Sequence, residues 1–499
     1  MITNVLTYLD RIVKEVPEKT AFADVHHSLT FSQLYQNVNS IGTALHQEGY
    51  YREPVLIYME KSADTIAAFF GVIRSGCFYV PIDAEMPASR IELIIQNCHP
   101  RAMIYDEDTK DSADRLPFEG KRYSFSKLKN TIVDAEALKA IEAHALDVDP
   151  IYIVFTSGST GVPKGVTACH RSVLDYVNQL SETLHFNRDT IFGNQTPLYF
   201  DACLKEIYPT IMFGATTWLI PKELFSTPKY LVQFLNEKKI NTICWVVSAL
   251  TMISAFNTFK SIKPEYLKTI AFGSEVFPIR QFRRWQDALP DADFTNLYGP
   301  TEGTGMSCYY HVPKNFNGDS IPIGVPFKNT EVLLLKDDNT LAEPGEEGEI
   351  CLRGTCVTLG YYNNPEKTRE VYVQNPLNHV YPEIIYRTGD MGKRTEDGNL
   401  MFGSRRDYQI KHMGHRIELG EIEADVNKIE EVKMCGCVYD HKRSLIKLFY
   451  TGDIEPAELT DRLNTLLPRY MMPNRTVHLT EIPFTANGKI DRKALENMQ

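Results

Sequence analysis

Cysteine is sparse, ten in 499 residues. That density is far below a disulfide scaffold, so reduced, buried thiols are expected. The one tight pair, Cys435 and Cys437 around Gly436, has His441 nearby but no second ligand pair, so no zinc site is expected. Long hydrophobic runs are missing too, which excludes a bilayer-spanning helix. The N-terminus, MITNVLTYLDRIVKEVPEK, is amphipathic and carries acids, unlike a secretory signal. A cytoplasmic location without membrane insertion is therefore expected. There is no basic excess either: 53 Lys+Arg face 64 Asp+Glu, a net charge of −11. Neutralising nucleic-acid phosphates takes clustered Lys and Arg, so no nucleic-acid partner is expected. Glycine and proline, at 29 and 27, are too few for a low-complexity or collagen-like chain.

What is present is globular. Hydrophobic residues make up 43% and charged residues 23%, and the length allows about three domains or two large ones. PVLIYM (54–59), FYVPI (78–82), AMIYD (102–106), IYIVFT (151–156), TTWLIP (216–221), NTICWVV (241–247) and TIAFGS (269–274) read as buried strands. Residues 62–75 read as a helix between the first two. Strands alternating with helices imply βαβ units and a mainly parallel sheet. After about residue 320 the pattern shifts to short strands with polar turns, a barrel-like section. The last ninety residues return to mixed α/β, with helices over 421–429 and 456–467. The expected fold is α/β: a large N-terminal domain of mainly parallel sheets flanked by helices, with a small barrel-like β section. A small, mobile α+β C-terminal domain follows. The change of texture near 404–408 places the domains at 1–405 and 406–499.

The strongest local signal is the loop Thr156-Ser157-Gly158-Ser159-Thr160-Gly161-Val-Pro-Lys164-Gly165, directly after an apolar strand. Its glycines permit the positive φ values of a tight phosphate-wrapping turn, and its hydroxyls and Lys164 donate to phosphate oxygens. The Walker A spacing is absent, because Gly165 follows Lys164.

The loop resembles the phosphate-binding loop of the adenylate-forming superfamily: acyl-CoA synthetases, luciferases and the amino-acid adenylation domains of nonribosomal peptide synthesis. The remaining motifs follow in the family's order along nearly the whole chain. They are GCFYVPID (76–83), Asn296-Leu-Tyr298-Gly299-Pro-Thr301-Glu302, Tyr386-Arg-Thr-Gly-Asp390, Arg405-Arg-Asp407-Tyr-Gln-Ile-Lys411, and Gly414-His-Arg-Ile-Glu418-Leu-Gly-Glu421-Ile-Glu423. Leu467-Pro-Arg-Tyr470-Met-Met-Pro473 and Asn487-Gly488-Lys489-Ile-Asp-Arg492 complete the set.

The resemblance implies attack of a carboxylate on the α-phosphate of ATP, with pyrophosphate leaving. Charge collects on the phosphates, so Mg²⁺, Lys and backbone N–H groups should supply the stabilisation. It implies Glu302 as the Mg²⁺ ligand, Thr301 as a donor to the α-phosphate, and Lys489 as the bridge between substrate carboxylate and α-phosphate. Tyr298 would offer its ring to adenine, with Asn296 and Gly299 beside it. Asp390 would accept the ribose hydroxyls, and Arg405 would reach ribose or phosphate. A second step is implied as well, in which the C-terminal domain turns about Asp407 and the adenylate passes to a thiol.

The segment Phe200-Asp201-Ala202-Cys203-Leu-Lys205-Glu206 resembles the amino-acid branch, in which the Asp pairs with the substrate α-ammonium. On residues alone, Asp201 also suits a helix N-cap. By motif alignment the side-chain pocket comprises Ala202, Lys205, Cys244, Ala271, Gly273, Leu297, Gly305 and Met306. Leu297 and Met306 would shorten it, favouring a small side chain. Lys205 has two readings: it pairs with an acidic substrate group, or its stem packs while its head snorkels to solvent. The stand-alone D-alanine–D-alanyl carrier protein ligases are a similar subfamily, whose pocket carries a Cys where this chain has Gly273. Ten residues follow Lys489, too few for a carrier domain, so a phosphopantetheinylated carrier protein is expected in trans. The competing expectations are an acyl- or aryl-CoA ligase of the same fold and a catalytically silent binding relative.

Overall fold

The computed structural model describes residues 2–158, 162–406, 408–441, 443–484 and 490–498. By contact density the chain divides into two units. The larger comprises Met1–Ala84, His99–Val154 and Val166–Arg406; the smaller comprises Glu85–Cys98, Phe155–Gly165 and Asp407–Gln499.

A nine-stranded sheet forms the centre of the larger unit. Its strands Thr269–Gly273, Thr242–Val246, Ile191–Asn194, Thr216–Leu219 and Thr20–Ala23 run parallel, and Asp293–Tyr298 continues them beside Thr269–Gly273. Antiparallel strands Ser28–Thr30 and Cys308–Val312 pair at either side of this block. Thr242–Val246 is buried along its length, as a parallel strand covered on both faces must be. Alternation sends Ile243, Trp245, Ile270, Phe272 and Phe294 into one apolar cluster. Cys244, Ala271 and Leu297 enter another. The paired positions are Cys244 with Ala271, Val246 with Gly273, and Gly273 with Leu297. Cys244, Ala271, Gly273 and Leu297 therefore share a face near the carboxyl ends of the strands, where ligands bind in open α/β sheets.

A second sheet of six strands contains the parallel pairs built from Pro54–Tyr58, Phe78–Pro81 and Ala102–Tyr105. The helix after Pro54–Tyr58 runs from Ala63 to Arg74 and starts on Ser62, whose hydroxyl accepts from the Thr65 amide. A Cβ on its Gly71 would stand 2.5 Å from Ile41, so glycine is what lets it press onto the helix Phe31–Gln47. The barrel-like section expected after residue 320 is a curled antiparallel sheet. Its strands are Thr330–Leu335, Glu347–Gly354, Ile384–Arg394, Tyr372–Gln374 and Leu400–Arg405.

The smaller unit is α+β. Val432–Asp440, Leu445–Gly452 and Arg475–His478 form one sheet. Gln409–His412 and His415–Glu418 form a hairpin. Met413 at φ 52° and Gly414 at φ 82° make its two-residue turn. Two positive φ values in succession match the right-handed strand twist. The helix expected over 421–429 spans Leu419–Val426, and the one expected over 456–467 spans Pro456–Leu463. All ten cysteines are unpaired and buried. No helix among the described residues is long and apolar enough to cross a membrane.

Candidate active site

Within the larger unit, Asp390 and Arg405 are register partners on adjacent strands, and Tyr298 ends the strand Asp293–Tyr298. The Tyr298 hydroxyl donates to Asp390 Oδ2 at 2.5 Å, and Arg405 pairs with Oδ1. The Asp390 amide donates to the Thr388 hydroxyl at 2.9 Å, and Arg405 also donates to the Thr388 carbonyl at 3.2 Å. Asp390 is only 3% exposed, and a buried carboxylate needs this company. Burial, and then the adjacent Asp390 charge, hold the Tyr298 phenol well above its usual pKa, so it stays protonated. The sequence-expected ribose acceptor and its two neighbours thus come together. The Asn296 side-chain amide donates to the Pro322 carbonyl at 2.8 Å.

The turn after Tyr298 allows no side chain at position 299. A Cβ there would lie 2.5 Å from Met306 Cα and 2.6 Å from the Gly305 carbonyl. Thr301–Gly303 form a 3₁₀ turn, and Glu302 within it is fully buried. Tyr361 donates its hydroxyl to Glu302 Oε1 at 2.7 Å, and the Thr358 amide donates to the Glu302 carbonyl at 3.0 Å. Thr304, at φ 55°, donates its hydroxyl to the Cys356 carbonyl at 2.6 Å. These bonds tie the turn to residues 356–361.

Asp201 opens a 3₁₀ turn, Asp201–Cys203, with Ala202 partly buried beside it, and the helix Leu204–Phe213 follows directly. Leu297, Met306, Cys244 and Ala271 share one apolar cluster with Tyr152 and Tyr176. Gly305, at φ 87°, faces Tyr176, since a Cβ there would meet that ring at 3.2 Å. A Cβ on Gly273 would lie 2.3 Å from the Leu297 carbonyl oxygen, so this backbone admits nothing larger without moving a strand. Lys205 does not snorkel. It is 1% exposed, which overturns the solvent-reaching reading.

Three residues near this cluster were missed from sequence. The hydroxyls of Tyr152 and Tyr176 are buried and meet no hydrogen-bond partner among the described residues. Burial raises both phenols far above the ordinary range; the nearby charge of Asp201 adds to each, after Cys244 in the case of Tyr176. Glu206 is fully buried, with Oε2 accepting from Asn194 at 3.4 Å and Oε1 unpartnered among the described residues. Burial pushes its carboxyl up to about 8, against the pull of Lys205, Asn194 and Lys61.

The smaller unit contains the Gly-rich loop, of which Thr156, Ser157, Gly158 and Lys164 are described. Ser157 donates to the Arg416 carbonyl at 2.8 Å and accepts from the Glu418 amide at 3.2 Å. The Gly158 amide donates to Glu421 Oε2 at 3.2 Å, and Arg90 pairs with Oε1 of the same carboxylate. Lys164 Nζ stands 3.5 Å from Glu418 Oε1. A Cβ on Gly158 would strike the Val162 carbonyl oxygen at 2.1 Å. Every one of these donors meets oxygen, and two meet carboxylates, the chemistry of an anion-binding loop. Arg90, Glu418 and Glu421 as its partners were not assigned from sequence, because such charge pairs leave no local pattern. Ser159, Thr160, Gly161, Asp407 and Lys489 lie outside the described residues.

The motif set, the topology and the buried Tyr298–Asp390–Arg405 cluster define an adenylate-forming enzyme. The chain belongs to the AMP-binding enzyme family, whose model matches residues 9–362, and its chemistry is ATP-dependent adenylation. It is 30% identical to a D-alanine–D-alanyl carrier protein ligase of Bacillus cereus (strain AH187), the match covering 98% of each chain. It is also 30% identical to tyrocidine synthase 1 of Brevibacillus parabrevis, over 96% of this chain and 43% of that protein. In fold it matches the Vibrio cholerae adenylation domain AlmE, crystallised with glycyl-adenosine-5′-phosphate. The TM-score is 0.87 at 20% identity, over 99% of this chain and 97% of that one. Likeness over both full lengths favours the carrier-protein ligase alternative over a generic adenylation domain.

Proposed function

We propose that this enzyme activates an amino acid as its aminoacyl adenylate and then loads it onto the phosphopantetheine thiol of a separate carrier protein. The manner is that of the D-alanine–D-alanyl carrier protein ligases. The observation that carries the amino-acid branch is Asp201, an acid whose charge bears on two buried phenols, Tyr152 and Tyr176. A substrate α-ammonium is the group whose charge complements that carboxylate. The substrate carboxylate attacks the α-phosphorus, the bond to the bridging oxygen of pyrophosphate breaks, and pyrophosphate leaves. Then the carrier thiol attacks the acyl carbon, a thioester forms, and AMP departs.

In this reading Ser157, Gly158 and Lys164 hold phosphate oxygens, Asp390 and Arg405 hold the ribose, and Tyr298 offers its ring to adenine. Thr301 and Lys489 act at the α-phosphate. Glu302 suits Mg²⁺: it is a buried hard-oxygen donor steadied by Tyr361, and Mg²⁺ is commonly held by one or two carboxylates plus substrate phosphates. When bound, the ion would neutralise charge on the triphosphate. Asp407 is the hinge between domains 1–405 and 406–499, and the cytoplasm is the proposed location.

ATP–pyrophosphate exchange, run with each amino acid in turn and starting from D-alanine, tests the first step. Loading of a phosphopantetheinylated carrier tests the second. Lys489→Ala should abolish most exchange, whereas Asp407→Pro should spare exchange and block loading. Exchange with aryl or fatty acids alone, or product formation with CoA and no carrier, overturns the proposal.

A further inference from the structure

Within the larger unit, one lysine outside the expected site residues joins the two large sheets at the base of the segment that leads to Asp201. Lys61 follows the strand Pro54–Tyr58 of the six-stranded sheet and directly precedes Ser62, the cap of the helix Ala63–Arg74. Its side chain crosses to the nine-stranded sheet. There Nζ donates to the main-chain carbonyls of Asn194 and Gln195, each at 3.1 Å, and of Ile220 at 3.4 Å. An ammonium has three donors and no acceptor, so three carbonyl oxygens are a full set of partners. Asn194 and Leu219 are register partners at the carboxyl ends of neighbouring parallel strands, and the Ile220 amide donates to the Asn194 carbonyl at 3.1 Å. The three acceptors therefore belong to one strand-end junction.

Two routes lead from this junction to Asp201. Along the main chain, residues 195–200 join Asn194 to the 3₁₀ turn Asp201–Cys203. That stretch is closed turn by turn: the Phe200 amide donates to the Pro197 carbonyl and the Cys203 amide to the Phe200 carbonyl, each at 3.3 Å. Leu198 is buried in the same apolar cluster as Cys203 and Leu204. Across space, the Asn194 side-chain amide donates to Glu206 Oε2 at 3.4 Å, on the helix Leu204–Phe213 that follows the turn. Asn194 thus meets Lys61 with its carbonyl and that helix with its side chain, so one point holds the Asp201 turn from upstream and from downstream. A binding group must be held to within about 0.5 Å of its productive place. Loops are the more mobile parts of a fold, so a loop-borne acid depends on the anchor at its base.

Building on the aminoacyl-ligase reading above, we infer that Lys61 is a positioning residue for amino-acid recognition: it fixes the strand-end junction from which Asp201 is presented to the substrate α-ammonium. Lys61 acts through backbone carbonyls. The nucleotide end of the site is built on other elements, with Tyr298 ending the strand Asp293–Tyr298 and Asp390 and Arg405 paired on the curled sheet. Loss of the anchor therefore falls on the amino acid and not on ATP.

The test is pyrophosphate exchange by wild type, Lys61→Met, Lys61→Arg and Ser62→Ala, with the amino acid that gives wild type its fastest exchange. Lys61→Met removes charge-assisted bonds, so its amino-acid KM should rise about tenfold or more, with the KM for ATP nearly unchanged. Lys61→Arg should recover most of the loss, because a guanidinium can also donate to several carbonyls. Lys61→Gln, which keeps an amide donor, should fall between the two and serves in place of Lys61→Met if that variant does not fold. Ser62→Ala removes the cap of the same helix, so it should lower the melting temperature and leave the amino-acid KM as it is. An unchanged amino-acid KM in Lys61→Met overturns this inference. So does a rise in both KM values alike, or a matching KM change in Ser62→Ala, since Lys61 would then be a general brace of the fold. Each of these results leaves the aminoacyl-ligase reading standing. Wild type that exchanges with no amino acid overturns that reading, and this inference with it.

Discussion

Replacing Glu206 by Gln should flatten the pH dependence of stability across the neutral range. Glu206 is fully buried, and its hydrogen bond from Asn194 is long at 3.4 Å. Burial dominates, raising the carboxyl from 4.5 to about 8 against the pull of Lys205, Asn194 and Lys61. A carboxyl raised in this way keeps its proton in the folded protein at pH values where the unfolded chain has released it. Folding stability is therefore highest below pH 4.5, falls as pH rises through the window from 4.5 to about 8, and levels off above it. At about 1.4 kcal/mol per pH unit, the whole window is worth on the order of 5 kcal/mol, and the part from pH 5.5 to 8 about 3 kcal/mol. Gln preserves the shape and carries no titratable proton. Urea unfolding of wild type and Glu206→Gln, at steps from pH 5.5 to 8.5, isolates the effect, because other titrating groups cancel in the difference. The variant should gain about 3 kcal/mol relative to wild type across that range. A difference that stays constant with pH would refute the reasoning: Glu206 would then be ionised throughout, with Lys205 or Lys61 as its counter-ion.

Tyr298→Phe removes the hydroxyl that donates to Asp390 at 2.5 Å. A hydrogen bond to a charged group is worth about 1.5–3 kcal/mol, so the ATP KM in pyrophosphate exchange should rise roughly tenfold or more. The KM for the amino acid should change much less. Gly273→Cys introduces the residue that the D-alanyl subfamily carries, at a position whose Cβ would lie 2.3 Å from the Leu297 carbonyl. Overpacking of this kind costs about 1–3 kcal/mol, and thermal melting should show a drop of several degrees. An unchanged melting temperature would mean that the strand yields without strain.

Much of this molecule could be read from the chain alone, for physical reasons that differ by region. Pro54–Tyr58 and Thr242–Val246 are uninterrupted apolar runs, and both are parallel strands with every residue buried. Asp390 and Arg405 were legible because their motifs are short and local. They turn out to be cross-strand partners, which no spacing rule states. Lys205 was ambiguous because a helical Lys is equally a snorkelling stem or a buried cation until the neighbouring sheet is in place. Tyr176 sits in the helix His170–Leu184, where an aromatic residue reads as ordinary core. Arg90 and Glu421 are 331 positions apart, and Gly158 and Glu421 are 263 apart. Only the folded chain brings them together.

The Gly-rich loop has a thermodynamic consequence of its own. The Gly158 amide and the Lys164 ammonium already face carboxylate oxygens of Glu421 and Glu418. The loop is thus shaped around negative charge without any ligand, and it carries no stranded donors at these two positions. Whatever phosphate binds these same donors must substitute for resident anions, so its affinity there reports a difference between two oxyanions and not the full strength of either.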